Sequence, residues 1–352
     1  MPLIAAETGQ FHTSYKQEVR VYETRYKLVA VLAVAVLAYV VVPSLFSDYW
    51  LSVLTLIGIA SVAALGLNVL IGYTGLISIG HAAFAAIGGY TAGNLVVRLG
   101  WPILVTLPLA GLVAGLFSLV VGLASLRVKG LYLAIATLAA QQLVAWSIIH
   151  WSWLSGGGQG VLVIPPVKYG PITTGTIQGK YMVVAVLVGI GILFCENLIR
   201  TRPGRALVAI RDQDIAAAGF GIPVFAYKLL SFFVASFFAG VAGALYGMNL
   251  GIVTSEIFSL QLSIQFLVMV LIGGLGSVPG SILGAAFVTL VPIALERWVP
   301  MLGLDISATL QIYLQNVVYG AAVLGFLILE PLGLYGLYRN GRDYFRMWPY
   351  SY

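Results

Sequence analysis

Charged residues and cysteine are both scarce in this chain. Only 9% of its 352 residues are charged, whereas soluble domains carry about 25%, so a water-soluble globular protein is excluded. The one cysteine, Cys195, cannot form an internal disulfide, which excludes a disulfide framework and a thiolate metal cluster. The first 25 residues are polar, and we therefore expect no cleavable signal peptide.

Apolar residues are abundant instead. They make up 60% of the chain, the mean hydropathy is +1.00, and charge-poor runs recur at about 20 residues, the length that crosses a bilayer core. We predict an all-α integral membrane protein, a polytopic helical bundle of eight to ten transmembrane segments. The candidate crossings are 28–46, 50–71, 76–97, 102–125, 131–150, 181–199, 226–250, 261–275, 281–298 and 308–330.

Two of these crossings set the uncertainty in the count. The segments 76–97 and 261–275 are short or interrupted by glycine, so they are typical of broken or re-entrant helices that line a cavity. Eight crossings remain if neither of them spans the membrane.

The positive charges predict the orientation. With the N-terminus inside, 14 of the 18 Lys and Arg residues fall on the cytoplasmic side, as the positive-inside rule requires. This bias accounts for the net charge of +6 without nucleic acid. We predict cytoplasmic termini and this organisation: tail 1–27, transmembrane domain 28–335 with external loop 151–180 and cytoplasmic loop 200–225, and tail 336–352.

Catalytic patterns are missing from the sequence. No glycine-rich loop ends in Gly-Lys followed by Ser or Thr, the three histidines are isolated, and no metal-ligand pair shares a helical face. We therefore expect a protein that is not an enzyme and that binds no nucleotide, metal or other cofactor. An ion-coupled secondary transporter would need paired buried carboxylates, which the pattern does not offer. A membrane scaffold would not need glycine-rich, broken spans.

Neutral polar residues lie deep in the predicted crossings. The sequence GYTGLISIGHAAF at 72–84 is the densest cluster of glycine, small and polar residues, and an unwound stretch that lines a solute is expected there. Interhelical hydrogen bonding explains each polar residue about equally well. The residues predicted to lie near a solute pathway are Asn68, Gly75, Ser78, His81, Gln141 and Gln265.

A partial internal echo accompanies this motif. The segment 70–75 resembles 271–276, and Ala-Ala-Phe follows each of them, at 82–84 and 285–287. An internal repeat and coincidence are equally good explanations at this stage.

The cytoplasmic loop contains a short alanine-rich helix in this prediction. Asp212 or Asp214 would cap it, and Gly219, Gly221 and Pro223 would end it. Such a helix can dock into a groove on another protein, or it can be a plain surface helix.

These segments resemble one known family, the LivM-type permease subunits of ABC importers for branched-chain amino acids. The match rests on GYTGLISIGHAAF at 72–84, LRVKGLYLAIATL at 126–138, SGGGQG at 155–160, GRALVAIRDQDIAA at 204–217, YKL at 227–229 and IGGLGSVPG at 272–280. The chain departs from the family pattern at Ala218, where relatives often carry a second acidic residue.

The resemblance implies a permease subunit in a bacterial inner membrane. Its implied partners are two ATPase subunits that use ATP and Mg²⁺, a homologous second permease subunit, and an extracytoplasmic solute-binding protein. The implied solute is a branched-chain or other small hydrophobic amino acid, with urea or short amides as alternatives. The implied ATPase-coupling residues are Arg211, Asp212, Asp214, Ala216, Ala217, Gly221 and Ile222.

Overall fold

The computed structural model describes residues 37–126, 131–155, 161–165, 168–169, 172–173, 175–301, 307–330 and 332–347. The main helices are α1 (Asp48–Ile71), α2 (His81–Leu99), α3 (Ile103–Ser125), α4 (Leu131–His150), α5 (Ile177–Arg200), α6 (Arg202–Asp212), α7 (Asp214–Gly219), α8 (Val224–Leu250), α9 (Leu260–Gly273), α10 (Val278–Met301), α11 (Ala308–Leu329) and α12 (Gly333–Met347). Shorter helical turns cover Leu37–Val41, Val42–Leu45 and Ser152–Ser155. The strands are β1 (Val161–Val163), β2 (Lys168–Tyr169), β3 (Ile172–Thr173) and β4 (Ile252–Thr254).

The prediction of a polytopic helical membrane protein is confirmed. Within the described residues, six helices, α1, α3, α4, α5, α8 and α10, are long and apolar enough to cross a membrane. Helix α9 is apolar but has only 14 residues, which fits the short, broken crossing predicted at 261–275. Of the predicted crossing 28–46, residues 28–36 lie outside the described part of the chain. The count of eight to ten crossings stays a prediction.

Helix α8 is the centre of the bundle, packed against α1, α2 and α3. Small residues permit this packing, because a Cβ added at Gly88 of α2 would lie 2.1 Å from the Gly240 carbonyl oxygen of α8. Without side chains at the crossing point, the two backbones approach closely and the apolar flanks interlock.

The bundle has two distinct ends, which α8 separates. Its 27 residues extend over about 40 Å at 1.5 Å per residue. At one end, the Lys180 end, the Lys180 ammonium donates to the Asn249 carbonyl (2.7 Å) and β1 pairs antiparallel with β4. At the other end, the Arg211 end, Lys228 near the start of α8 faces Asp214 of α7. The loops predicted to be external and cytoplasmic are thus separated in space.

One local prediction is wrong, the N-cap of α7, and two segments contain helices that the sequence did not predict. The loop predicted at 200–225 contains helix α6, whose first turn is capped by the Thr201 hydroxyl. Neither Asp212 nor Asp214 caps α7: Asp212 ends α6, Gln213 is the N-cap residue in extended conformation, and Asp214 is the first helical residue. The tail predicted from residue 336 is mostly helical, since α12 extends through Met347.

Candidate functional site

The first glycine break, residues 72–80, is non-helical and connects α1 to α2. Gly75 has φ +73°, and its N–H donates to the Ile71 carbonyl (3.0 Å). The C-cap residue of α1 is Gly72, whose N–H donates to the Asn68 carbonyl (2.7 Å). Such a cap leaves other carbonyls of the last turn without a helical donor. The sequence prediction of a non-helical stretch within 72–84 is confirmed for these nine residues.

The second glycine break, residues 274–277, connects α9 to α10 and lies against the first. The Gly276 N–H donates to Asn68 Oδ1 (2.8 Å), and Asn68 Nδ2 donates to the Ser277 carbonyl (3.0 Å). Asn68 is 1% exposed. Its carboxamide oxygen and its amide nitrogen both bind the backbone of this one facing loop. Ser277 Oγ in turn accepts from the Gly280 N–H (2.8 Å) at the start of α10.

Arg211, at the end of α6, reaches the same place. Its Nη1 donates to the Gly72 carbonyl (2.8 Å), one of the carbonyls at the end of α1. A cation is favoured at a helix C-terminus because the backbone dipoles leave partial negative charge there. Nε and Nη2 of the same guanidinium donate to Asp212 Oδ1 (3.2 and 3.1 Å), which fixes its orientation.

A polar cavity of about 230 Å³ opens beside this contact. Its walls are formed by the first glycine break, by the connection between α6 and α7, and by Lys228 of α8. The Lys228 ammonium donates to Asp214 Oδ2 (3.4 Å), with 14% of the lysine side chain and 29% of the aspartate side chain exposed. The cavity therefore separates the α6–α7 segment from the end of α1 on one side of the Arg211 contact.

Helix α7 presents apolar side chains away from the bundle. Ala217 faces inward and is buried, whereas Ile215 is 73% and Phe220 89% exposed. Ala216 and Gly221 are also exposed, and Ile222 is partly buried. The exposed Ile215 of α7 and the exposed Phe220 directly after this helix form an apolar knob at a polar end of the molecule. Such a shape can enter a groove on another protein.

A second polar cluster lies halfway along α4. Gln141 Oε1 accepts from the Ser263 hydroxyl (2.6 Å), and Ser263 Oγ accepts from the Ala82 N–H at the start of α2 (2.8 Å). Thr137 Oγ1, one turn away on α4, accepts from the Ile79 N–H (3.1 Å). These bonds satisfy backbone N–H groups at the beginning of α2. The N-cap residue of this helix is Gly80, which has no side chain to do so.

Ser78 and His81 lie inside this cluster. Both are fully buried, and Ser78 Oγ and both ring nitrogens of His81 have no hydrogen-bond partner among the described residues. The imidazole packs edge-on against Phe84 and Phe266, with ring centroids 6.2 Å away in each case. Unpartnered buried polar atoms are costly, and each calls for an explanation such as an ordered water, an ion or a functional role.

The predicted site residues therefore divide into two groups. Asn68, Gly75 and the coupling residues meet at the Arg211 end, while Ser78, His81 and Gln141 gather in the cluster along α4, with Gln265 partly buried on neighbouring α9. Asn68 and Gln141 make the interhelical hydrogen bonds that were the open alternative to a solute pathway. Whether any of them contacts solute stays a prediction.

Three residues of the two sites were missed by the sequence reasoning. Ser263 gave no local signal, because its partner Ala82 lies 181 residues away in the chain. Lys228 belongs to the YKL match at 227–229, but its pairing with Asp214 of the preceding helix α7 was not predicted. Phe220 directly follows α7, and its position between glycines in Gly-Phe-Gly could have drawn attention to it.

The fold and the two polar sites define a polytopic helical membrane protein with two helix breaks in contact and a short exposed helix, α7, beside them. Residues 49–329 match the family described as "Branched-chain amino acid transport system / permease component". This match covers most of the chain, and the chain belongs to that family.

Curated relatives are permease proteins of bacteria and archaea. The high-affinity branched-chain amino acid transport system permease protein LivM of Salmonella typhimurium is 32% identical over 283 residues, 73% of this chain and 65% of the relative. A probable LivM of Methanocaldococcus jannaschii is 25% identical over 72% of this chain and 73% of the relative. The autoinducer 2 import system permease protein LsrC of an Enterobacter species is 28% identical over 62% of this chain and 60% of the relative.

This chain thus spans about two-thirds of the Salmonella relative, 65% of its length. No solved structure matches the chain.

Proposed function

We propose that this chain is the permease subunit of an ATP-driven importer for branched-chain or other small hydrophobic amino acids. The observation that carries the proposal is the family match over residues 49–329 combined with the exposed apolar helix α7 at the Arg211 end. The chain forms part of the membrane passage, and separate subunits bind and hydrolyse ATP with Mg²⁺.

The docking role of α7 is supported by its setting. Ile215 and Phe220 are exposed at the end of the bundle that the positive charges assign to the cytoplasm, where ATP is available. Ala217 is buried, and Lys228 pairs with Asp214, so the helix is held in place against the bundle. A rigid, preorganised apolar knob loses little conformational freedom when it enters a groove.

The other partners follow from the same proposal. A homologous second permease subunit completes the passage, two ATPase subunits act from the cytoplasm, and a solute-binding protein delivers solute at the Lys180 end. The membrane is then the inner membrane of a bacterium. The neutral polar atoms of Ser78 and His81 suit a small neutral or zwitterionic solute better than an ion.

Co-purification tests the proposal. The tagged chain is extracted from its native membrane in a mild detergent, and ATP hydrolysis is measured on the proteins that remain bound. Stoichiometric ATPase subunits are expected with the unaltered chain. Their loss is expected with Asp214→Lys, because the change replaces the 3.4 Å ion pair with Lys228 by two adjacent cations. Glu256→Lys, a charge reversal at the Lys180 end, should retain the ATPases.

One result would contradict the proposed function. A chain that is purified alone and that drives solute uptake into liposomes from an ion gradient would overturn the proposal in favour of an ion-coupled secondary transporter.

A further inference from the structure

We propose that Arg211 and Asn68 are positioning residues that transmit movement of the α6–α7 segment to both glycine breaks. The inference rests on the proposed function, since the movement is the one that ATPase subunits would impose on α7. It assigns to Arg211 a role inside the permease, at the end of α1, rather than on the docking surface. It assigns to Asn68 a mechanical link instead of a contact with solute.

The first link is the bond from Arg211 to the Gly72 carbonyl (2.8 Å). It joins two residues 139 positions apart in the chain. Hydrogen bonds to charged groups are about twice as strong as neutral ones, and the planar guanidinium is held by Asp212 on its other edge. A displacement of the end of α6 therefore pulls on the last turn of α1, where the first glycine break begins.

The second link is the Asn68 carboxamide, one turn earlier on α1. It accepts from the Gly276 N–H and donates to the Ser277 carbonyl, so it fixes the second break relative to the first. A carboxylate could accept but not donate, and an apolar side chain could do neither. The partly buried Gly276 N–H and Ser277 carbonyl would then lose this partner.

The two links meet at one point. A Cβ added at Gly276 would lie 3.4 Å from Arg211 Nη1 and 3.4 Å from the Gly72 carbonyl oxygen, and one added at Gly72 would lie 2.4 Å from the Gly276 nitrogen. The two breaks and the guanidinium are thus in mutual contact with no side chain between them. Because Gly276 has φ +78°, the second break also depends on a conformation that other residues rarely adopt.

The surroundings leave room for the movement. The 230 Å³ cavity leaves room for residues 212–214 of the α6–α7 connection beside residues 74–76. Arg211 itself already packs against the first break, with its Cα 3.7 Å from the place where a Cβ of Gly75 would lie. From residue 76 the break continues to Ser78 and His81, whose polar atoms are buried without partners among the described residues. A shift of the break would therefore change the solvent exposure of these atoms or bring them a hydrogen-bond partner.

The test follows the accessibility of one residue in the first break. The variant Ser78→Cys is made in a Cys195→Ala background and reconstituted with the ATPase subunits, the second permease and the binding protein. Its reaction rate with a water-soluble maleimide is measured without nucleotide and with ATP plus vanadate, and ATP hydrolysis is measured in parallel. A charge-assisted hydrogen bond is worth about tenfold in an equilibrium, so loss of the Arg211 bond is expected to reduce the nucleotide effect on the rate by about this factor.

Arg211→Gln is expected to remove most of the nucleotide effect while the ATPases stay bound and hydrolyse ATP. Arg211→Lys should restore part of it, because an ammonium can still donate to one carbonyl. Arg205→Gln is the matched control: Arg205 also lies on α6 but donates to the Arg200 carbonyl at the helix start, and its loss should leave the effect unchanged. Asn68→Ala should act like Arg211→Gln, and the double variant should be no worse than either single one.

Two results would overturn the inference and leave the proposed function intact. The first is a maleimide rate at residue 78 that is the same with and without nucleotide in the unaltered complex. The second is a full nucleotide effect in Arg211→Gln. Loss of the ATPases from Arg211→Gln would also overturn it, because Arg211 would then belong to the docking surface. Failure of the unaltered chain to bind any ATPase would instead contradict the proposed function.

Discussion

Truncation of Phe220 gives a quantitative test of docking through α7. Its side chain is 89% exposed in the isolated chain, so nearly all of its apolar surface is available to be buried by a partner. Full burial of a phenylalanine side chain is worth about 1.5–3 kcal/mol, which corresponds to about 10- to 100-fold in affinity. We expect Phe220→Ala to weaken binding of the isolated ATPase subunit by this factor, as measured by titration of the purified chain in lipid nanodiscs.

Two variants make the measurement specific. Phe220→Leu keeps most of the apolar surface and should retain affinity within about threefold, since a smaller area change is involved. Tyr338→Ala removes another aromatic side chain, which is 50% exposed on α12, and should leave the affinity unchanged. An unaltered dissociation constant for Phe220→Ala would refute the claim that α7 inserts this side chain into the ATPase, even if the ATPase still binds.

Three further substitutions, one of them with a matched control, test the packing and the ends of the bundle. Gly88→Ala should lower the melting temperature and cost about 1–3 kcal/mol of stability through overpacking, because its Cβ would lie 2.1 Å from a carbonyl oxygen of α8. The control Gly320→Ala should be tolerated, because its Cβ would meet open space in the described structure. Gly221→Pro should abolish ATPase co-purification without loss of membrane insertion, because proline fixes φ near −65° where Gly221 has +80°. Lys180→Met should cost about 1 kcal/mol of stability, measured by thermal unfolding, because the Asn249 carbonyl loses its ammonium donor.

The crossings could be predicted because lipid imposes length and composition on them. The predicted segment 131–150 coincides with α4, and 102–125 differs from α3 by one residue. Both are bounded by residues that end an apolar run, namely Pro102 and the basic residues of 127–129. An uninterrupted apolar run of this length has few alternatives to a helix, because each backbone polar group must be paired within it.

The helices outside the apolar core were harder to predict. Helix α6 was missed because it is short and polar, and its alternation of arginine with small and aliphatic residues fits a loop as well as a surface helix. The N-cap of α7 was misassigned because Asp212, Gln213 and Asp214 follow each other, and the position of the break between α6 and α7 is decided by packing of Ile210 and Ala217 into the bundle.

The sequence could predict which residues belong to the site but not which residues they bind. The glycine-rich motif marked where a helix would break, since glycine allows the left-handed conformation that Gly75 adopts. The partner of Asn68 lies 208 residues away, and no local pattern carries that information. A polar residue in a membrane run therefore indicates that a partner exists without telling whether it is a backbone or a solute.

The two segments of the internal echo coincide with the two glycine breaks. Residues 70–75 and 271–276 resemble each other, and the corresponding glycines Gly75 and Gly276 have φ +73° and +78°. Both breaks lie at the Arg211 end, each after a helix that enters it and before a helix that leaves it. The two breaks are in contact at one end of the bundle, and Arg211 at the end of α6 binds the first of them. A single movement of α6 can therefore displace both breaks.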